Sequence, residues 1–341
     1  MRARLKPIRE QTIVITGASS GNGLATAHAA VERGAAVVLA ARNGEALASI
    51  RDELRAKQGR AEICIADVSR EDDVERIGAT AMAAFGGFDS WVNNAATATF
   101  GTIEQVSTAD HRRVFDVNYF GYLYGCRMAA RQLRARGGGA IVNVGSILGD
   151  RAIIDQGPYC ATKHAIQALT DVLRMELERD RAGISVTLIK PGAIDTPYPE
   201  HARNLMDEPP RLPPPLYDPS LVADAVLFAC ETPRRVLYVG GAGLLSSMIG
   251  RAAPRLTDLV MEVIGRMIQE KPSDPGDPAA RDNLYQARKD GAVHGSQHVA
   301  VRRTSLTLAL QKLPRAVPLA AAGVIGALGA RKALSALARR R

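Results

Sequence analysis

The first 240 residues alternate short, nearly unbroken apolar runs with longer segments of helical length. Thr12–Thr16 (TIVIT), Ala36–Ala41 (AVVLAA), Ala61–Ala66, Phe88–Asn93, Ala140–Ser146, Ile184–Lys190 and Val236–Val239 read as strands. Their apolar character, without alternation, is that of strands buried on both faces. Between them, Gly21–Gly34, Glu45–Lys57, Glu71–Phe85, one long stretch Thr108–Arg136 and Pro158–Arg179 read as helices. Pro158 stands in a first turn, where proline is tolerated. Strands joined through helices form parallel βαβ units with right-handed crossovers. The expected fold is therefore α/β, a doubly wound parallel sheet of about seven strands with helices on both faces. In such a sheet the ligand crevice lies at the C-terminal ends of the strands.

The strand–helix rhythm stops after Gly243. Ser246–Ile268 has helical length but is interrupted by Pro254, and the stretch 271–278 (KPSDPGDP) reads as a linker. The chain thus divides into a catalytic domain, 1–245, and a C-terminal extension, 246–341. A proline-rich stretch, 209–219 (PPRLPPPLYDP), follows the sixth strand. It is either a stiff surface connection or a lid over the crevice.

Of the 341 residues, 46% are hydrophobic and 23% charged, as in a globular protein. No apolar run reaches the roughly 18 to 20 residues of a membrane-spanning helix. The net charge of +9 is not spread over the chain. Residues 1–290 are balanced, whereas 291–341 carry nine bases (Arg302, Arg303, Lys312, Arg315, Arg331, Lys332, Arg339, Arg340, Arg341) and no acid. Within this tail, Ala316–Ala330 is apolar and flanked by bases. It reads as a helix packing on the body or on a second subunit, or as an attachment to an anionic membrane surface. Nucleic-acid binding is disfavoured, because no aromatics interleave the bases. The basic N-terminus has no apolar run of a secretory leader, and Cys64, Cys126, Cys160 and Cys230 are scattered, so a cytoplasmic setting with reduced thiols is expected. The cysteines have no metal-ligand spacing and no HExxH motif occurs, so no metal site is expected.

The first strand runs into Gly17-Ala18-Ser19-Ser20-Gly21-Asn22-Gly23 and then a helix. Glycines at such a turn bring backbone N–H groups against a pyrophosphate at a helix N-terminus. The GxxxGxG spacing stands with Asp67 after the third strand, NNAA at 93–96, Asn118, Ser146, YCATK at 159–163, PG at 191–192 and Thr196. Together, over about residues 8–240, these motifs resemble the short-chain dehydrogenase/reductase family. The resemblance implies a Rossmann-type fold and a nicotinamide dinucleotide held by Gly17, Ser19, Ser20, Gly21, Asn22, Gly23, Pro191, Gly192 and Thr196. It places Asp67 at the adenine ring edge and Asn94 beside the adenosine. It also implies a homodimer or homotetramer joined through the helices around 108–136 and 157–180. Asn22 stands where the family commonly has Ile, and Ala96 where it has Gly. The segment from 246 through 281–295 resembles extensions on some bacterial members.

The second strand ends Leu39-Ala40-Ala41-Arg42-Asn43, with a base and no acid. An acid there would accept from a ribose hydroxyl, whereas an arginine pairs with a 2′-phosphate. NADP(H) is therefore expected ahead of NAD(H), unless Arg42 is only a solvated base at the start of the next helix.

Tyr159 and Lys163, four residues apart on a helix, share one face. An adjacent ammonium would lower the tyrosine pKa from about 10 toward the working range. By the resemblance, Tyr159 is the general acid/base, Lys163 also reaches the nicotinamide ribose, Ser146 donates to the substrate oxygen, and Asn118 holds a water that relays protons to Lys163. The expected reaction interconverts a small-molecule carbonyl and alcohol by hydride transfer. Leu148, Ile153, Ile154 and Tyr198 flank the catalytic segments and suggest a hydrophobic substrate. The alternative is a non-catalytic NADP(H)-binding sensor or scaffold recruited to a surface by its tail.

Overall fold

The computed structural model describes residues 3–271, 281–288, 291–297 and 299–314. The apolar run 316–330 with its flanking bases, and 272–278 of the linker, lie outside the described residues.

In chain order the elements are β1 (Thr12–Thr16), α1 (Gly21–Glu32), β2 (Ala36–Ala41), α2 (Gly44–Ala56), β3 (Arg60–Ile65), α3 (Glu71–Phe85), β4 (Ser90–Asn93) and β5 (Thr99–Phe100). Then follow α4 (Thr108–Phe115), α5 (Gly121–Ala135), β6 (Gly139–Val144), α6 (Gly157–Arg179), β7 (Ile184–Pro191), α7 (Tyr198–His201) and β8 (Arg203–Asn204). The chain continues through β9 (Leu216–Tyr217), α8 (Pro219–Glu231), β10 (Val236–Val239), α9 (Gly241–Ala252), α10 (Pro254–Ile264), β11 (Val301–Arg302) and α11 (Leu306–Lys312).

Seven strands form one parallel sheet in the order β10-β7-β6-β4-β1-β2-β3. Alternate strand residues feed cores on opposite faces. Ile13, Ile15, Val37 and Leu39 join Leu24, Leu47 and Val222 of α1, α2 and α8. Val14, Val38 and Ala40 join Val74, Ile77, Ala129 and Leu177 of α3, α5 and α6. This is the doubly wound Rossmann-type sheet that the apolar runs predict. The order reverses between β1 and β4, so the crevice opens there.

Two differences from the sequence reading have local causes. The fourth strand starts at Ser90, not Phe88, because Gly86 and Gly87 turn the chain at positive φ and the Asp89 carboxylate accepts the Thr12 N–H. The helix expected over 108–136 is split by a widened π turn, Asp116–Phe120, which carries Asn118. Single π turns recur at functional sites, and no composition signal announces them.

Caps mark where helices are closed. Asn43 and Ser107 accept the Ala46 and Asp110 N–H groups at the starts of α2 and α4. At α1 the flanking Ser20 makes no side-chain cap. Its first-turn amides carry the positive end of the helix dipole toward the crevice.

The extension folds back over the crevice edge of the sheet. β11 pairs with β9, and the Ser305 hydroxyl accepts from Gly240 N–H at 3.1 Å. The proline-rich stretch is pinned between them, with Pro210 bridging to Glu270.

Candidate active site

The glycine turn can form only without side chains. Gly17 has φ +66°, and a Cβ there would lie 2.7 Å from Ala95 Cα. A Cβ on Gly23 would lie 2.1 Å from the Gly17 carbonyl oxygen, so α1 packs against the turn at a distance only glycine allows. Asn94 braces the turn from behind: its Nδ2 donates to the carbonyls of Thr16 (3.0 Å) and Gly17 (3.2 Å). The Thr16 hydroxyl accepts from Asn94 N–H at 3.0 Å and Ala95 N–H at 3.2 Å.

Arg42 and Asp67 stand at the ends of β2 and β3. Asp67 takes Arg113 at 2.7 Å and the Ser69 N–H and hydroxyl at 3.0 and 2.7 Å. Burial alone would raise this carboxyl; the Arg113 and Ser69 hydrogen bonds outweigh it and hold the group below its usual range. Arg42 donates to the carbonyls of Tyr285 (3.1 Å) and Asn283. Two of its five N–H groups are thus used.

At the inner end, Lys163 is buried and donates to the Val144 carbonyl at 2.9 Å. Its Nζ lies 5.3 Å from the Tyr159 ring centroid and 5.3 Å from that of Tyr122. Burial pulls the Lys163 amine down to about 7. Burial also raises the Tyr159 phenol well above 10, against the opposing effect of a hydrogen bond with Ser146. The lowered tyrosine pKa expected from an adjacent ammonium is therefore not found in the ligand-free chain. The same low-dielectric surroundings disfavour both charges, and burial is the leading effect on each.

Asn118 is fully buried. Its Oδ1 accepts from Thr97 N–H at 2.8 Å, and its Nδ2 donates to the Thr97 carbonyl at 2.9 Å and the Thr162 hydroxyl at 3.0 Å. Both amide hydrogens are committed, so this side chain ties the loop after β4 to α6.

One cavity runs from the glycine turn to Ser146, Tyr159 and Lys163. Of the residues singled out in the sequence, Gly17, Ser19, Ser20, Gly21, Asn22, Arg42, Asp67, Asn94, Ser146, Tyr159, Lys163, Pro191, Gly192 and Thr196 line it; Gly23 and Asn118 stand behind the wall. Leu148, Ile153 and Tyr198 line it as well, whereas Ile154 does not and packs near Gly265. Leu212 and Pro213 of the proline-rich stretch also line it. Among the described residues no cluster of His, Cys, Asp and Glu could hold a metal ion, and no helix is long and apolar enough to cross a membrane.

Sequence reasoning did not find the polar chain behind Tyr198. The Tyr198 hydroxyl donates to Gln156 Oε1 at 2.8 Å, and Gln156 Nε2 donates to Gln269 Oε1 at 2.6 Å. Gln269 Nε2 in turn donates to the carbonyls of Ile154 (3.1 Å) and Gly265 (2.8 Å). Tyr198 packs edge-on to Tyr159 with centroids 5.2 Å apart, so this chain orients a wall of the site. Asn283, Ala287 and Arg288 of the extension were missed as well. Their segment is polar and has no periodicity.

The residues present fit a nicotinamide dinucleotide. The turn is a cradle that a Cβ would fill, α1 starts without a side-chain cap, and Asn22, whose buried Oδ1 has no hydrogen-bond partner among the described residues, lines the cavity.

Comparison with known proteins agrees. Residues 11–206 match the family model described as short chain dehydrogenase. An uncharacterized oxidoreductase of Bacillus subtilis, YxnA, is 48% identical over 290 residues, which cover 84% of this chain and 81% of that protein. A short-chain dehydrogenase/reductase from Burkholderia phymatum, solved in complex with NAD, superposes with TM-score 0.66 at 26% identity, covering 78% of this chain and 98% of that one. L-sorbose reductase of Gluconobacter frateurii, solved with NADPH and L-sorbose, superposes with TM-score 0.60 at 26% identity, covering 71% of this chain and 98% of that one.

Proposed function

The chain belongs to the short-chain dehydrogenase family, and from that premise we propose that it interconverts a carbonyl and an alcohol on a hydrophobic small molecule, with NADP(H) as cofactor and Tyr159 as general acid/base. Membership makes it an oxidoreductase acting on CH–OH and C=O groups with a nicotinamide cofactor. The observation that carries the finer reading is the convergence of Ser146, Tyr159 and Lys163 at the inner end of a cavity whose other end is the glycine turn.

The turn at Gly17–Gly23, with Asn94 behind it, would hold the cofactor's phosphates, and Pro191, Gly192 and Thr196 would bound its nicotinamide end. When bound, the cofactor gives a hydride to the substrate carbon or takes one from it. The Ser146 hydroxyl donates to the substrate oxygen and steadies the charge that develops there. The Tyr159 O–H gives that oxygen a proton in reduction and recovers it in oxidation. Because burial keeps the phenol protonated, reduction starts with the donor already loaded. Lys163, titrating near 7, can return a proton to Tyr159 at neutral pH. Asn118 acts as a positioning residue, through Thr97 and Thr162.

For NADP(H), β2 ends without an acid, and Arg42 lines the cavity with three N–H groups to spare. Leu148, Ile153 and Leu212 favour an apolar substrate. Assembly as a homodimer or homotetramer is supported by an apolar groove between α4 and α6, lined by Phe115, Tyr119, Phe120, Leu169 and Val172. The test is a panel of hydrophobic ketones and aldehydes run with NADPH and NADH, on the protein and on Arg42→Ala. Oxidation of NADPH faster than NADH, with the preference lost in Arg42→Ala, is expected. Equal use of both cofactors by the unaltered protein would refute the cofactor assignment, and no oxidation of either would refute the activity.

A further inference from the structure

Part of the extension spans the cofactor cleft. Residues 281–288 and 291–297 cross it from α4 to the segment after β7. On the α4 side the Tyr285 hydroxyl donates to Asp110 Oδ1 at 2.9 Å, and Arg113 Nε donates to the Leu284 carbonyl at 2.9 Å. Leu284 itself is fully buried. On the far side Ser296 N–H donates to Glu200 Oε1 at 2.7 Å, and His294 Nδ1 lies 3.0 Å from Asp195 Oδ2. Between these ties the segment rests on the glycine turn, where Gly21 N–H donates to the Ala292 carbonyl at 2.9 Å. Asn283, Ala287 and Arg288 of the segment line the cavity, so the segment walls the site and leaves open space beside it.

Arg288 is a cation that this segment presents to the cavity, which Ser19, Ser20 and Gly21 also line. Its carbonyl accepts from the Asn43 side chain, and its guanidinium donates to the Glu200 carbonyl. No carboxylate among the described residues pairs with it. A guanidinium has five N–H groups in a fixed fork, so one bond to Glu200 steers it and leaves the others free for an anion. Its reach, from Asn43 at the adenosine side toward Glu200 at the nicotinamide side, crosses the turn where the diphosphate belongs.

We propose that this segment is a strap that closes over the bound dinucleotide, and that Arg288 is a ligand of the diphosphate. The inference rests on the dinucleotide reading given above and adds to it a second set of ligands outside the glycine turn. The diphosphate is common to NADPH and NADH, so Arg288 serves both, and release of either requires the strap to open.

The full-length chain is titrated with NADPH and NADH by calorimetry, and release is followed by stopped-flow fluorescence of the reduced nicotinamide. Arg288→Ala is expected to weaken both cofactors by similar factors of at least about tenfold, the loss of a charge-assisted hydrogen bond. Arg288→Lys is expected to fall between the two, with the ligand-free melting temperature unmoved in both variants. Tyr285→Phe, which unties the strap from Asp110 away from the cavity, is expected to speed release of both cofactors without changing their affinity ratio. Unchanged or tighter binding by Arg288→Ala would overturn the proposal, the latter because the strap would then be an obstacle. A loss confined to NADPH would move Arg288 to the 2′-phosphate and overturn its assignment to the diphosphate. Binding of neither cofactor by the unaltered chain would instead overturn the dinucleotide reading itself.

Discussion

Replacing Lys163 with methionine is expected to change how stability depends on pH, by an amount that follows from burial. Among the described residues the amine has one hydrogen-bond partner, the Val144 carbonyl, and burial pulls it from the ordinary 10.5 to about 7. Between those values the unfolded chain binds a proton that the folded chain does not, so stability rises with pH across that window. The preference of the fold for the neutral amine is about 5 kcal/mol in full, at about 1.4 kcal/mol per tenfold. About 2 kcal/mol of it is recovered between pH 7 and pH 9. Lys163→Met removes this dependence and leaves every other titrating group in place. Urea unfolding of both proteins, without ligands, at pH 7, 8 and 9 reads the difference directly. The unaltered chain should gain on the variant by about 2 kcal/mol over that range. A difference that stays constant from pH 7 to 9 would refute the argument, since Lys163 would then titrate as an exposed lysine does.

Two further outcomes follow from the packing. Gly23→Ala places a Cβ against the Gly17 carbonyl and 2.7 Å from Asn94 Nδ2. It should cost about 1–3 kcal/mol of stability, as overpacking does, and weaken NADPH and NADH alike, read by urea unfolding and calorimetry. Gln269→Leu leaves the Gln156 amide with an unmade buried bond and should cost about 1–3 kcal/mol of stability. By loosening Tyr198 it should raise KM more than it lowers kcat, which steady-state kinetics would separate.

The strands were legible because burial on both faces leaves AVVLAA wholly apolar and breaks the apolar runs of TIVIT and ISVTLIK only with Thr12, Thr16, Ser185, Thr187 and Lys190. The glycine turn was legible because Gly17 and Gly23 are sterically obligatory. The π turn at Asn118 was not, since a one-residue widening leaves the helical periodicity almost unchanged. The resemblance put Asn94 beside the adenosine; that its amide points back at the turn is visible only in three dimensions. The Tyr159–Lys163 spacing located the pair correctly on one face. Its electrostatics depend on burial, which spacing does not report, and so the sign of the Tyr159 shift came out opposite. The strap had the weakest signal of all. A single buried leucine, Leu284, within a polar run carries no period, and its hydrogen bonds are mostly to backbone carbonyls that any sequence supplies.

The central claim is that Tyr159 moves the proton at the substrate oxygen in a site otherwise built to hold the cofactor. Its most direct test is Tyr159→Phe, compared with the unaltered chain for NADPH affinity and for turnover of one active carbonyl from the panel. The account predicts an affinity within about twofold, because the phenol oxygen is not a phosphate ligand, and a fall in kcat of about a hundredfold or more. Full turnover by Tyr159→Phe would contradict it.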